Sequence, residues 1–381
     1  MKHALMTQFP FARGRAFVCK NIGDYVQAVA SRQYCKPLDE YIEQEEANSY
    51  FPEDKQPAKM IMNGWFQWRA ENWPPSEYVK PLLVSMHISP LRAKQLLTKE
   101  GIDFLKKNEP VGCRDYYTKK LLESVGVKAF FSACMTLTLG KTYHIKKEEE
   151  REKIYFVDPF FDIPAIVSDA EEKKSIRWGV IFETLCYFFR HPISVIKLGK
   201  KEFFKVYSPT GFLDRNTHFL NPFYKAARFL KVYSNKFDIK MLLSAEYVTH
   251  WMDVNMDGTV TNDTLLDYAE SLVKKYARAK LLITSRIHAG LPSLGLDTPV
   301  IFVANEEVTS ENGNFNTPGR LDGLIDFFRI LNLSKDGKFS SVDPIFQTNT
   351  IGKDFSFANK EEWKAYAQKL DETCRRFMSE C

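Results

Sequence analysis

The stretch Ala279-Lys280-Leu281-Leu282-Ile283-Thr284-Ser285-Arg286-Ile287-His288-Ala289-Gly290-Leu291-Pro292 decides the fold. Leu281 to Thr284 is a short apolar run of the kind that makes a buried parallel strand. A second apolar run, Val300 to Val303, follows after a gap with room for one short crossover helix. Arg286 and His288 are thereby placed at the carboxyl end of a strand and the start of a helix. Open α/β sheets bind ligands at that edge, and a helix N-terminus there favours anions. A guanidinium and an imidazole in that position imply a phosphate or carboxylate substrate.

Upstream of the motif, Leu265, Leu266, Ala269, Leu272, Val273, Tyr276 and Ala277 form one helical stripe, with Asn262 or Asp263 as its cap. The first half alternates in the same way. Apolar runs at Ala16–Cys19, Lys59–Met62, Leu82–His87, Lys128–Phe131 and Ile154–Val157 read as strands, and Asp24–Tyr34 and Thr118–Ser124 as helices. The pattern resumes near Ile239 to Leu243, with Leu242 to Tyr247 reading as a strand, and Lys360 to Met378 is a polar-faced helix. Such alternation implies an α/β chain with a mostly parallel sheet. The charge run Lys146 to Lys153 reads as a solvated loop. Asp253 to Val260 imitates a calcium loop but carries Thr264 where a bidentate Glu is required, so it reads as an Asx-rich turn, and no metal is expected.

Composition bounds the function. The 381 residues are 44% hydrophobic and 27% charged, which describes a soluble chain long enough for two domains. A net charge of +5 with no basic motif argues against nucleic acid. Seven scattered cysteines without Cys-x-x-Cys fit a reduced cytoplasm, and the first residues lack the apolar core of a secretory signal. Ile176 to Lys240 stands apart, with 12 Lys/Arg against 4 Asp/Glu and 15 aromatic rings. That segment suits either an anionic membrane surface or a helical subdomain with buried rings.

Thr284-Ser285-Arg286-Ile287-His288, then Pro292, then Thr298-Pro299-Val300-Ile301-Phe302, resembles the signature of the polysaccharide pyruvyl transferase family. Asn21-Ile22-Gly23-Asp24, Pro110-Val111-Gly112-Cys113-Arg114-Asp115 with Thr118 and Cys134, and Arg320-Leu321-Asp322-Gly323-Leu324 follow the family's order. The resemblance implies two Rossmann-like domains facing across a cleft in a GT-B-like arrangement. Residues 1–165 form the first and 239–381 the second, with a helical aromatic-rich insertion over 166–238 and the last helix packing back on the first domain. It implies transfer of pyruvyl from phosphoenolpyruvate, without a cofactor, to two hydroxyls of a sugar in a cell-surface polysaccharide or a lipid-linked precursor. An acceptor of that kind would bring a cytoplasmic enzyme to the inner face of the membrane. A nucleotide-sugar glycosyltransferase on the same plan and a non-catalytic sugar-binding relative are the alternatives.

The same resemblance assigns donor binding to Arg286 with its neighbours Ser285 and Ile287, and to Arg114 and Arg320; for Arg286 the alternative is a structural ion pair at the domain edge. His288 is the acid/base candidate because imidazole titrates near neutral pH, or else it hydrogen-bonds the phosphate. Arg114 is either a donor cation or the partner of Asp115. Asn21 and Asp24 sit in a strand-to-helix turn, where Asp24 caps the helix or else Asn21 or Asp24 faces the acceptor. His87 ends a strand, as a cleft residue or a satisfied structural one. Arg320 follows the loop Asn312-Gly313-Asn314, which has the composition of a lid.

Overall fold

The computed structural model describes residues 1–9, 17–145, 151–161, 166–168, 174–207, 218–305, 319–334, 336–347 and 350–380. The strands of the first half are β1 (Lys2–Thr7), β2 (Phe17–Asn21), β3 (Glu40–Glu43), β4 (Ala58–Phe66), β5 (Val79–Ile88), β6 (Val111–Cys113) and β7 (Ala129–Phe131). Those that follow are β8 (Lys153–Val157), β9 (Ile166–Ser168), β10 (Lys174–Ile176), β11 (Glu246–Val248), β12 (Trp251–Asn255), β13 (Ala279–Thr284), β14 (Val300–Asn305), β15 (Arg329–Leu333) and β16 (Phe339–Ser340). Helices α1 (Gly23–Arg32), α2 (Pro90–Leu96), α3 (Lys99–Lys107), α4 (Tyr116–Ser124) and α5 (Gly140–Tyr143) belong to the first half. The basic segment holds α6 (Trp178–Arg190), α7 (Pro192–Gly199), α8 (Glu202–Val206) and α9 (Asn221–Tyr233). The remaining helices are α10 (Ile239–Ser244), α11 (Asn262–Ala277), α12 (Ile287–Gly295) and α13 (Trp363–Ser379).

Two six-stranded sheets result. The first runs β3-β1-β4-β5-β6-β7 with every pair parallel. The second runs β11-β8-β13-β14-β15-β16 and is parallel except for its edge strand β16. The apolar runs read as strands because they are buried on both faces. In β13 and β14, Leu282, Val300 and Phe302 face one core while Leu281, Ile283, Ile301 and Val303 face another. The first of these cores also takes Leu5, Ile61 and Val84 of the first sheet, so the two sheets share it. Helices α1, α11, α12 and α13 fill the layer between them.

Several local expectations change. The first sheet begins with β1, which the polar ends of its six residues hide; β2 instead pairs antiparallel with β12 and ties the two halves together. Strand β8 pairs with β11 and β13, so residues 153–157 lie in the second sheet and not with the first unit. Helix α10 occupies part of the run expected to be a strand, because Asp238 Oδ1 accepts from Lys240 and Met241 N–H at 2.8 and 3.1 Å. The cap of α11 is Thr261, whose hydroxyl accepts from Thr264 N–H at 3.3 Å. Asp253 and Asn255, the first residues of the calcium-loop imitation, pair within β12.

The charge run is only partly described. Within it, Arg151 reaches the Thr298 hydroxyl at 2.6 Å and the Leu296 carbonyl at 2.8 Å, so this residue anchors the second sheet. The aromatic-rich segment divides. Phe203, Phe204, Tyr207, Phe229, Tyr233 and Phe237 are buried around Phe156 of β8. At about 2 kcal/mol for each ring removed from water, these are structural. The outer face of α6, with Trp178, Phe182 and Phe189, is exposed. Helix α13 lies against β5, with Tyr34 donating to Asp371 at 2.9 Å. No described helix is long and apolar enough to cross a membrane.

Candidate functional site

The carboxyl ends of the two parallel sheets supply the side chains of one buried cluster. In the first sheet, register places Trp65 beside His87 and Met86 beside Cys113. His87 and Arg114 therefore leave neighbouring strands at nearly the same level, and Arg114 N–H donates to the Met86 carbonyl at 2.8 Å. In the second sheet, Val157 and Thr284 are paired, so Asp158 and Ser285 emerge side by side.

Arg114 is fully buried and its guanidinium has no carboxylate partner among the described residues. Nη1 lies 3.4 Å from Gln27 Oε1 and 3.4 Å from His288 Nε2, while Nε and Nη2 have no partner. The neighbouring Asp115 does not neutralise it. One Asp115 oxygen accepts from Thr118 N–H at 2.8 Å and caps α4; the other is 2.6 Å from His87 Nδ1. His87 is fully buried, with Nε2 unpartnered and its pKa lowered by burial in spite of Asp115. A carboxylate-oriented imidazole with its second nitrogen unused is the arrangement of a proton-transfer pair.

Arg286 is the residue before α12. Its Nε donates to Asp158 Oδ2 at 3.1 Å and its guanidinium stacks on Trp251, 4.9 Å from the ring centroid. Asp158 sits at φ 39°, a left-handed conformation that turns its carboxylate back to accept from His250 N–H at 2.9 Å as well. The terminal nitrogens of Arg286 have no protein partner among the described residues. Ser285 points elsewhere. Its hydroxyl donates to the Val303 carbonyl at 2.6 Å and accepts from Phe160 N–H at 2.8 Å, so it knits strands together. Ile287 packs in the shared core.

His288 is buried, one residue into α12, and presses on the start of α1. A Cβ on Gly23 would stand 2.8 Å from His288 Nδ1 and 2.9 Å from its Cβ, so only glycine permits the approach. Asn21 holds that turn, its Oδ1 accepting from Gly23 N–H at 3.1 Å. Asp24 does not cap α1; Ile22 occupies the cap position and Asp24 pairs with Lys20 at 2.6 Å. The pKa of His288 is pushed well down by burial, then by Arg114, Arg320, His250 and Arg286. Arg320 enters from a turn packed on α4, where Gly319 has φ 74° and Asp322 accepts from Tyr116 N–H at 3.2 Å. Burial first, then Arg114 and Arg286, lower its own pKa to about 10. The loop Asn312-Gly313-Asn314 lies outside the described residues.

Sequence reasoning did not single out Gln27, Asp158, Trp251, His250 or Glu43. Glu43 ends β3 beside Thr7, accepts from Phe9 N–H at 2.7 Å, and has its pKa raised to about 7 by burial. Among the described residues no group of three or more His, Cys, Asp or Glu is placed to hold a metal. The cluster as a whole carries cations whose nearby carboxylates are already engaged, which leaves it with unbalanced positive charge.

Two outcomes check these electrostatics. Removing a buried guanidinium that no carboxylate balances relieves its desolvation, so Arg114→Met should raise the unfolding free energy by about 1–3 kcal/mol. Destabilisation of about 2 kcal/mol or more would make Arg114 a structural residue. The second outcome concerns His250, whose pKa burial lowers from 6.5 to about 4, with Tyr276 OH 2.6 Å from its Nε2. The unfolded chain takes up that proton first as pH falls, so the stability it contributes is complete above pH 6.5 and is lost toward about pH 4. Glu43 opposes this trend, since its raised pKa favours the folded state as pH drops from about 7. The difference between wild type and His250→Gln isolates the histidine. Denaturant titrations should show it shrinking by about 2 kcal/mol between about pH 7.5 and about pH 5. An unchanged difference contradicts a neutral buried His250.

The model of the family described as polysaccharide pyruvyl transferase matches residues 21–307. No curated protein and no solved structure matches the chain. The matched span holds the Asn21 turn, the Arg114 block and the Ser285–His288 block, which the two sheets bring into contact, while Arg320 lies beyond it. On that match the chain belongs to the polysaccharide pyruvyl transferase family.

Proposed function

We propose that the protein transfers the pyruvyl group of phosphoenolpyruvate to two hydroxyls of one sugar in a polysaccharide or its precursor, releasing phosphate and forming a cyclic ketal. The observation that carries this reading is the buried guanidinium of Arg114, without a carboxylate and 3.4 Å from His288. The donor carries its carboxylate and its phosphate on the same carbon, C2. Arg114, Arg286 and Arg320 offer separate forks for these anions. In this reading the two sheets are Rossmann-like units, and their carboxyl edges are the lips of one cleft.

The electrostatics give His288 its role. Alone, it is neutral, because burial and three arginines oppose a further positive charge. The donor's anions reverse that balance and raise its pKa, so the imidazole takes up a proton as the donor enters. Protonated His288 delivers this proton to the methylene carbon, and an oxocarbenium-like centre forms at C2. The first sugar hydroxyl bonds to C2 and its proton returns to His288. The bond from C2 to the phosphate oxygen then breaks, the second hydroxyl adds, and its proton leaves with phosphate. His87, oriented by Asp115 through Nδ1, is the group that can relay that last proton to the departing phosphate.

The test is phosphate release from phosphoenolpyruvate with a panel of sugar acceptors, with nucleotide sugars as competing donors. The reading expects phosphate release together with a product heavier by one ketal-linked pyruvate. In His288→Ala, turnover should fall by roughly 10²–10⁴, the usual effect of losing an acid/base group. Transfer of a glycosyl group with no use of phosphoenolpyruvate would overturn it.

A further inference from the structure

Helix α6 carries two apolar faces, and the fold uses one. Val180, Tyr187 and Phe188 pack on the core around Phe156, and Thr184 is buried. On the other side, Trp178, Phe182, Leu185 and Phe189 recur at helical spacing and point outward. Trp178, Phe182 and Phe189 are 70%, 69% and 76% exposed, and Ile193 at the start of α7 is 83% exposed. Ile196 continues the stripe. Three exposed rings on α6 continued by two exposed isoleucines on α7 exceed the scattered apolar residues of an ordinary surface.

The charges beside the stripe that have no ion-pair partner among the described residues are all positive. Arg177, Arg190, Lys197 and Lys200 are exposed and have no ion-pair partner among the described residues. The acids nearby are engaged, Glu183 with Lys231 at 3.8 Å and Glu202 with Lys205 at 2.8 Å. Lys201 is not part of this set, since its Nζ turns inward to the Ala245 carbonyl at 2.9 Å. A second copy docked by two-fold symmetry would bring these like charges together. Anionic lipid headgroups neutralise them while the rings enter the acyl boundary.

We infer that α6 and α7 form a docking face for an anionic bilayer, with Trp178, Phe182, Phe189 and Ile193 inserted and Arg177, Arg190, Lys197 and Lys200 at headgroup level. This face does not depend on the reaction proposed above. The experiment is flotation of the full chain with phosphatidylcholine vesicles, with and without about 30% phosphatidylglycerol, over a range of salt. The wild type should float with the anionic vesicles and be released by salt. Phe182→Ser with Phe189→Ser, and separately Lys197→Glu with Lys200→Glu, should each weaken partitioning at least roughly tenfold. All four side chains are exposed, so both variants should keep the wild-type melting temperature. Three results would overturn the inference: no flotation at low ionic strength, flotation unchanged in both variants, or a concentration-dependent dimer abolished by the Phe substitutions.

Discussion

The approach of Gly23 to His288 is the constraint on which the site depends. No side chain stands between the first turn of α1 and the imidazole, and a Cβ there would come within 2.8 Å of Nδ1. This contact fixes the distance between a helix packed on β1 and β4 of the first sheet and the helix that follows β13. The β2–β12 ribbon reinforces it, pairing Asn21 with Trp251, and Ile22 N–H donates to the His250 carbonyl at 2.8 Å. Residues far apart in the chain are thereby held in one rigid group, and Arg114 meets His288 across the junction.

Charge follows from that geometry. Each carboxylate near the cluster already has a partner: Asp24 has Lys20, Asp115 has His87, and Asp158 has Arg286. Arg114 has none among the described residues, and burial keeps water from compensating it. A buried guanidinium without a carboxylate costs stability, which supports the functional reading proposed for this group. Placing the cations at strand ends and His288 at the start of a helix also leaves the backbone N–H groups of α12 directed toward the same region.

The strands of the second sheet were legible because β13 and β14 are buried on both faces, which makes their sequences continuous apolar runs. Arg286, His288 and Arg114 were legible as cations and an imidazole at strand ends inside recognisable blocks. What escaped depended on tertiary contacts. Lys2–Thr7 is a strand one place in from the edge of the first sheet although it begins with two polar residues. Asp115 was readable as a carboxylate beside Arg114, yet its partner is His87 on the neighbouring strand. Ser285 lies within the signature but its hydroxyl joins β14 to Phe160, a role that no local pattern reveals. The aromatic-rich segment presented two readings of equal standing in composition, and only helical phase separates its buried rings from its exposed ones.

The central claim is that a buried, unbalanced cation cluster keeps His288 neutral until the anionic donor enters. Titration calorimetry of phosphoenolpyruvate binding, near neutral pH in buffers of different ionisation enthalpy, tests it most directly. The account predicts that binding takes up close to one proton, and that the uptake disappears in His288→Gln while binding persists. Binding without proton uptake, or uptake that survives in His288→Gln, would contradict it.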